Sequence, residues 1–249
     1  MRKNLKASLM VMFLVGLLAG CGGGDEGGFL PDPTDDDAPI VQATIPADTA
    51  ADVMINRKIV VTFNEPMRAS TITAAGTFLV TGPGGFVAGE VTYNVINHMA
   101  IFTPVGNLEA GLHTAAISTA AKDVSGNSLV IPMIWSFTVG VSADTTKPEV
   151  SFVSPADYAT GVPGNTDLNI IFTETMDPET INITNVTLET SSGPIPIAGI
   201  VTYDGTVATF NPTIDLLPGI EYIARVTIEV ADLAGNTMLF EKEWSFTTN

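Results

Sequence analysis

Few residues in this sequence have the type and spacing to do chemistry. One residue is cysteine (Cys21) and two are histidine (His98 and His113). No Gly-x-Ser-x-Gly, His-Glu-x-x-His or Walker-type glycine loop occurs. Gly22, Gly24 and Gly27 match Gly-x-Gly-x-x-Gly, but no strand precedes them and Asp25 and Glu26 crowd the stretch, so no dinucleotide is expected there. What remains is carboxylate. Asp177 and Glu179 share one loop, and Asp123 and Asp232 each open an Asp-x-x-Gly-Asn stretch. Calcium takes six to eight oxygens and is the cation these four could serve, although no Asp-x-Asp-x-Asp-Gly ladder accompanies them. A turn explains Asp123 and Asp232 more fully. The aspartate accepts backbone N–H groups, Gly126 and Gly235 supply the left-handed conformation, and the asparagine tolerates it. The expectation is therefore structural aspartates and no cofactor, with calcium as the alternative.

The balance of charge narrows the partners. Ten Lys and Arg face 27 Asp and Glu, for a formal net charge of −17. Charged residues make up only 15% of the chain, against roughly 25% in ordinary soluble domains. Such a surface repels phosphate backbones, which excludes nucleic acid. Apolar residues make up 45%, enough to bury a core and to exclude disorder of the whole chain.

The first 20 residues give an address. Arg2, Lys3 and Lys6 form a basic start, Leu9 to Leu18 is apolar apart from Gly16, and Ala19-Gly20 is a small-residue cleavage site. This is the pattern of an export signal, too short to span a bilayer, which needs about 20 apolar residues. Leu18-Ala19-Gly20-Cys21 resembles the lipobox of bacterial lipoproteins, which implies a lipid on Cys21 and membrane attachment through it. With no second thiol, no intramolecular disulfide is possible. Residues 21–38 read as a flexible acidic tether of Gly, Pro and Asp. Gly22 is not the aspartate associated with inner-membrane retention, so the outer membrane or cell surface is the expected location.

The rest of the chain is a duplication. Ile45-Pro-Ala-Asp48 recurs as Ser154-Pro-Ala-Asp157, and Phe63-Asn-Glu-Pro-Met67 as Phe172-Thr-Glu-Thr-Met176. Val91-Thr-Tyr93 recurs as Val201-Thr-Tyr203, and Asp123-Val-Ser-Gly-Asn127 as Asp232-Leu-Ala-Gly-Asn236. Trp135-Ser-Phe-Thr138 closes the first copy and Trp244-Ser-Phe-Thr247 the second. The copies are assigned to 39–140 and 147–249, with a linker at 141–146. Period-two alternation, as in Leu168, Ile170 and Phe172, predicts strands, and Asp204-Gly205 predicts a hairpin. About seven strands per copy predict an all-β chain of two Greek-key sandwiches. A single helical turn is expected at 176–181, capped by Asp177 with Pro178 first. Trp135, Trp244 and Tyr222 are the expected structural anchors, with Gly126 and Gly235 in the turns.

These motifs resemble the bacterial Ig-like domain of SbsA-type S-layer proteins. The resemblance implies a sandwich used at cell surfaces as spacer or binding module, with no catalytic residues to carry over. Leu217-Pro-Gly-Ile-Glu-Tyr222 resembles the tyrosine corner of such sandwiches, and copy one departs from it, with Thr114 read at the tyrosine position and His113 aligned with Glu221. Ser-Pro-Ala-Asp with Phe-x-Glu-x-Met is also similar to CopC-type copper carriers, which implies histidine and methionine ligands. Only His98 and His113 are present for that role, and Met67 and Met176 are expected to fill sandwich gaps. Glu65 and Glu174 are the shared glutamates, and each sits between the same Phe and Met, which argues for structure over catalysis. The expected function is non-catalytic: adhesion, envelope or S-layer-type organisation, or binding of a protein or glycan partner, with a copper or calcium carrier as the alternative.

Overall fold

The computed structural model describes residues 35–249, so Cys21, the export signal and most of the tether lie outside the described residues. The described chain is all-β. Copy one holds β1 (Val41–Ile45), β2 (Ile59–Phe63), β3 (Phe78–Gly82), β4 (Gly85–Phe86), β5 (Gly89–Asn94), β6 (Met99–Pro104), β7 (Gly111–Ile117) and β8 (Met133–Val139). They form two sheets of order β1-β2-β6-β5 and β4-β3-β7-β8. Copy two repeats this with β9 (Val150–Ser154), β10 (Ala159–Val162), β11 (Leu168–Phe172), β12 (Val186–Thr190), β13 (Gly199–Tyr203), β14 (Val207–Pro212), β15 (Glu221–Val226) and β16 (Lys242–Thr248). Its sheets run β9-β11-β14-β13 and β10-β16-β15-β12. β10 lies parallel to β16, a pairing that copy one reduces to a single bridge between Val53 and Val139.

Alternation decides which side chains meet. Along β16, Trp244, Phe246 and Thr248 are buried while the residues between them are half-buried, and β8 buries Trp135, Phe137 and Val139 around a half-buried Ser136 and an exposed Thr138. Each copy has its own core, around Trp135 with Phe78 and Phe102 in the first and Trp244 with Phe210 and Phe246 in the second. Backbone must come very close at Gly89 and Gly199. A Cβ on either would run into the ring of Phe102 or Phe210, so the duplicated sheet edge needs glycine at both places.

Three local readings are tested by the fold. The hairpin at Asp204-Gly205 forms: Asp204 Oδ1 accepts the N–H groups of Thr206 and Val207, and Gly205 has φ of 96°. The turn at Asp177 stays short of a helix. Glu179 N–H donates to Asp177 Oδ1 and Thr180 N–H to Asp177 O, after which the chain leaves. The corner of copy one requires a correction. Tyr222 opposes Phe246 in β15–β16, and its hydroxyl accepts the Leu217 N–H at 2.9 Å. In β7–β8 the residue opposite Phe137 is His113, not Thr114, so histidine holds the tyrosine position. Both rings stack on their phenylalanine, with centroids 5.6 Å apart for His113 and 5.8 Å for Tyr222. One fewer residue between Leu108 and Gly111 than between Leu216 and Ile220 hid this register from motif alignment. The imidazole is too short to reach the corner; its Nδ1 pairs with Gly111 O at 3.1 Å and its Nε2 is buried without a hydrogen-bond partner.

Candidate functional site

The two domains meet along a built seam. Leu233, in the Asp-turn of the second domain, is 1% exposed because it packs on Val60, Met99 and Ile101 of the first, with Ile45 at the margin. Those three stand on the outer face of the β2–β6 pair, the face that a lone sandwich gives to water. Polar contacts surround this apolar centre. Lys58 N–H donates to Leu233 O at 2.8 Å, and its Nζ reaches Asp177 at 2.6 Å and Glu179 at 3.3 Å. Burial opposes the charge on Lys58, but the two carboxylates outweigh it and hold its pKa above the usual lysine value. Asn56 pairs with the linker twice, accepting from Asp144 N at 2.8 Å and donating to Asp144 O at 2.9 Å. Asn94 Nδ2 donates to Pro178 O at 3.0 Å, and Tyr203 N–H donates to Asn97 Oδ1 at 2.8 Å.

The seam was legible in one contrast that motif matching passed over. Val60, Met99 and Ile101 occupy the places of Asn169, Val207 and Thr209 in the second copy. Two of these three places are polar in copy two, Asn169 and Thr209, while copy one is apolar at all three, the pattern of strands buried on both faces. Asp177 and Glu179, weighed as calcium ligands, are the anionic side of the seam.

Asp123 and Asp232 form turns. Asp232 Oδ1 accepts Ala234 N–H and Asn236 N–H, and its Oδ2 accepts the Asn236 side-chain amide, all at 2.8 Å. Asp123 does the same with Gly126 N–H, Asn127 N–H and the Asn127 amide. Gly126 and Gly235 have φ of 106° and 88°. The two asparagines also clasp the incoming chain through Asp35 O and Asp144 O. Two carboxylate groups result, Asp35 with Glu65 and Asp123, and Asp144 with Glu174 and Asp232, each with oxygens within 4.8 Å of one another. A hard cation fits this donor type, but each buried aspartate already accepts three N–H bonds, which commits its oxygens to the turn.

The carboxylate groups have a consequence at neutral pH. Partial burial, the charges of Asp232 and Asp144, and a hydrogen bond to Asp232 push Glu174 up to about 7. Glu65 is raised as well, by burial first and then by the charges of Asp123, Asp35 and Asp37, against a hydrogen bond from Asn64 that lowers it. The folded state therefore binds the Glu174 proton more tightly than the unfolded chain, whose value is near 4.5. That contribution is complete below the unfolded value and is lost as pH rises through about 7. Urea unfolding at pH 5 and pH 8 will show Glu174→Gln gaining stability over wild type at pH 8 and little at pH 5. An equal difference at both would contradict the shared proton.

The copper ligand set does not assemble as such. Met67 and Met176 fill the cores of separate domains, 2% and 0% exposed, and His113 is buried in the first sandwich, stacked on Phe137. His98 sits at the β5–β6 hairpin with φ of 53°. No helix among the described residues is long and apolar enough to cross a membrane.

No curated protein matches the sequence significantly. Among solved structures, the copper resistance protein PcoC from Escherichia coli is similar over 42% of this chain and 100% of its own, with 20% identity and a TM-score of 0.35. The N-terminal part of the bacterial S-layer protein SbsC is similar over 84% of this chain and 44% of that one, with 14% identity and a TM-score of 0.34. The bacterial Ig-like domain family matches twice, over residues 35–139 and 144–248, one match for each sandwich. With both halves of the described chain so matched, the protein belongs to the bacterial Ig-like domain family.

Proposed function

We propose that the protein is an exported lipoprotein of the cell envelope whose paired Ig-like domains act without catalysis, as a stiff module in adhesion or S-layer-type surface organisation. The observation that supports this most is the seam. A spacer or presenting module must transmit position from one domain to the next, and an apolar contact ringed by an ion pair and amide bonds can do so. Inter-domain contacts without such a centre leave relative motion as the default. An SbsA-type role is the finer form of the same proposal, and it rests on the sequence motifs. Cys21 supplies the anchor, and the acidic tether holds the rigid pair off the membrane. Cys21→Ala will move the protein from the membrane to the soluble fraction and abolish fatty-acid labelling. Labelling that persists in the variant would overturn the anchor.

A further inference from the structure

The first domain carries a pocket of about 220 Å³ between the β3–β4 hairpin and the β6–β7 loop. An engineered apolar cavity of roughly 150 Å³ holds benzene, so a space of this size takes one substituted aromatic ring. Phe86 and Val105 are its most exposed walls, at 80% and 78%, and Val87 and Leu108 continue the apolar lining. Asn107, Glu109 and His113 are its polar side chains, and neither lysine nor arginine lines it. The buried His113 Nε2 is not offered to a ligand. It is turned under Gly82, where an added Cβ would run into it.

Copy two shows what fills this place. Leu108 and Leu216 are counterparts, because their N–H groups donate to Ile55 O and Gly164 O, one repeat apart. Glu109 therefore matches Leu217, as His113 matches Tyr222. In copy two the Tyr222 phenol reaches the corner and its hydroxyl accepts the Leu217 N–H. In copy one the imidazole bonds Gly111 O instead, and among the described residues no acceptor meets the Glu109 N–H. The pocket touches Leu108, Glu109 and His113, the counterparts of Leu216, Leu217 and Tyr222.

We infer that this pocket binds a p-hydroxyphenyl group from outside the chain, with its ring against Phe86 and Val105 and its hydroxyl accepting the Glu109 N–H. The group is a partner protein's tyrosine or a free phenol. A ring set edge-on or offset against Phe86 gains more than its buried area alone provides. Anionic ligands are disfavoured by Glu109 and by the chain's net charge of −17. The site belongs to the first domain alone, so it goes beyond the stiff pair and does not depend on it.

The test is titration of the isotope-labelled protein with p-cresol, N-acetyltyrosinamide and N-acetylphenylalaninamide. The two phenols will shift the backbone resonances of Phe86, Val105 and Glu109 and leave the second domain unmoved. The phenylalanine compound, which lacks only the hydroxyl, will bind roughly three- to tenfold more weakly than the tyrosine compound. Phe86→Ala, at an exposed position outside the core, will weaken p-cresol binding by about fivefold or more. His113→Tyr supplies a ring from within; it will close the pocket, abolish p-cresol binding and raise the thermal midpoint of the first domain. Binding of p-cresol without binding of the tyrosine compound keeps the site and assigns it to a free phenol. Absence of local shifts with both phenols at about 20 mM, equal binding of the tyrosine and phenylalanine compounds, or binding indifferent to Phe86→Ala would overturn the inference. A natively folded His113→Tyr that still binds p-cresol would overturn it as well, and if that variant does not fold, Phe86→Ala decides alone.

Discussion

Asp232→Ala will destabilise the second domain by about 3 kcal/mol, in the presence or absence of chelator. The side chain is 2% exposed and accepts three N–H bonds, two from the backbone of its own turn and one from Asn236. Removing it leaves those donors facing a void. A carboxylate in such a position stabilises by more than a surface helix cap, where the loss is about 1 kcal/mol. The turn also presents Leu233 to the first domain and, through Asn236, holds the linker at Asp144 O. Denaturant unfolding with calcium and then with chelator separates the two roles of the aspartate. A wild type that loses much stability in chelator, together with a variant that has lost calcium dependence, would make the cation part of the fold.

Leu233→Ala will uncouple the domains. The leucine is buried between Val60, Met99 and Ile101, and truncating a buried leucine costs about 2–5 kcal/mol. Here that loss falls mainly on the contact between domains. For a domain of this size each kcal/mol moves the midpoint by roughly 4–8 °C. Calorimetry will show coupled unfolding in wild type and two separated transitions in Leu233→Ala. Lys58→Met, which leaves Asp177 buried without its cation, will push the same way. Identical transitions in wild type and Leu233→Ala would mean that the seam contributes nothing.

The fold was legible because strand periodicity and turn chemistry are local. Leu168, Ile170 and Phe172 needed only their alternation, and Asp204-Gly205 only its preference for positive φ. The Asp-turns were legible because the glycine and asparagine restate what the aspartate does. The seam was harder, since Lys58 and Asp177 stand far apart in sequence and nothing local marks a pair. Its sequence trace is comparative. Where copy two has Asn169 and Thr209, copy one has Val60 and Ile101, and an apolar face with no partner inside its own sandwich must find one outside it. His113 escaped for another reason. Motif alignment carries register only between matched motifs, and the corner of copy one is one residue shorter than that of copy two.

Residual dipolar couplings from the intact chain test the stiff pair most directly. If the seam holds, backbone couplings from both domains will fit one alignment tensor, with the same magnitude and orientation. Two tensors of different magnitude, each fitting only its own domain, would show domains moving independently and would contradict the seam.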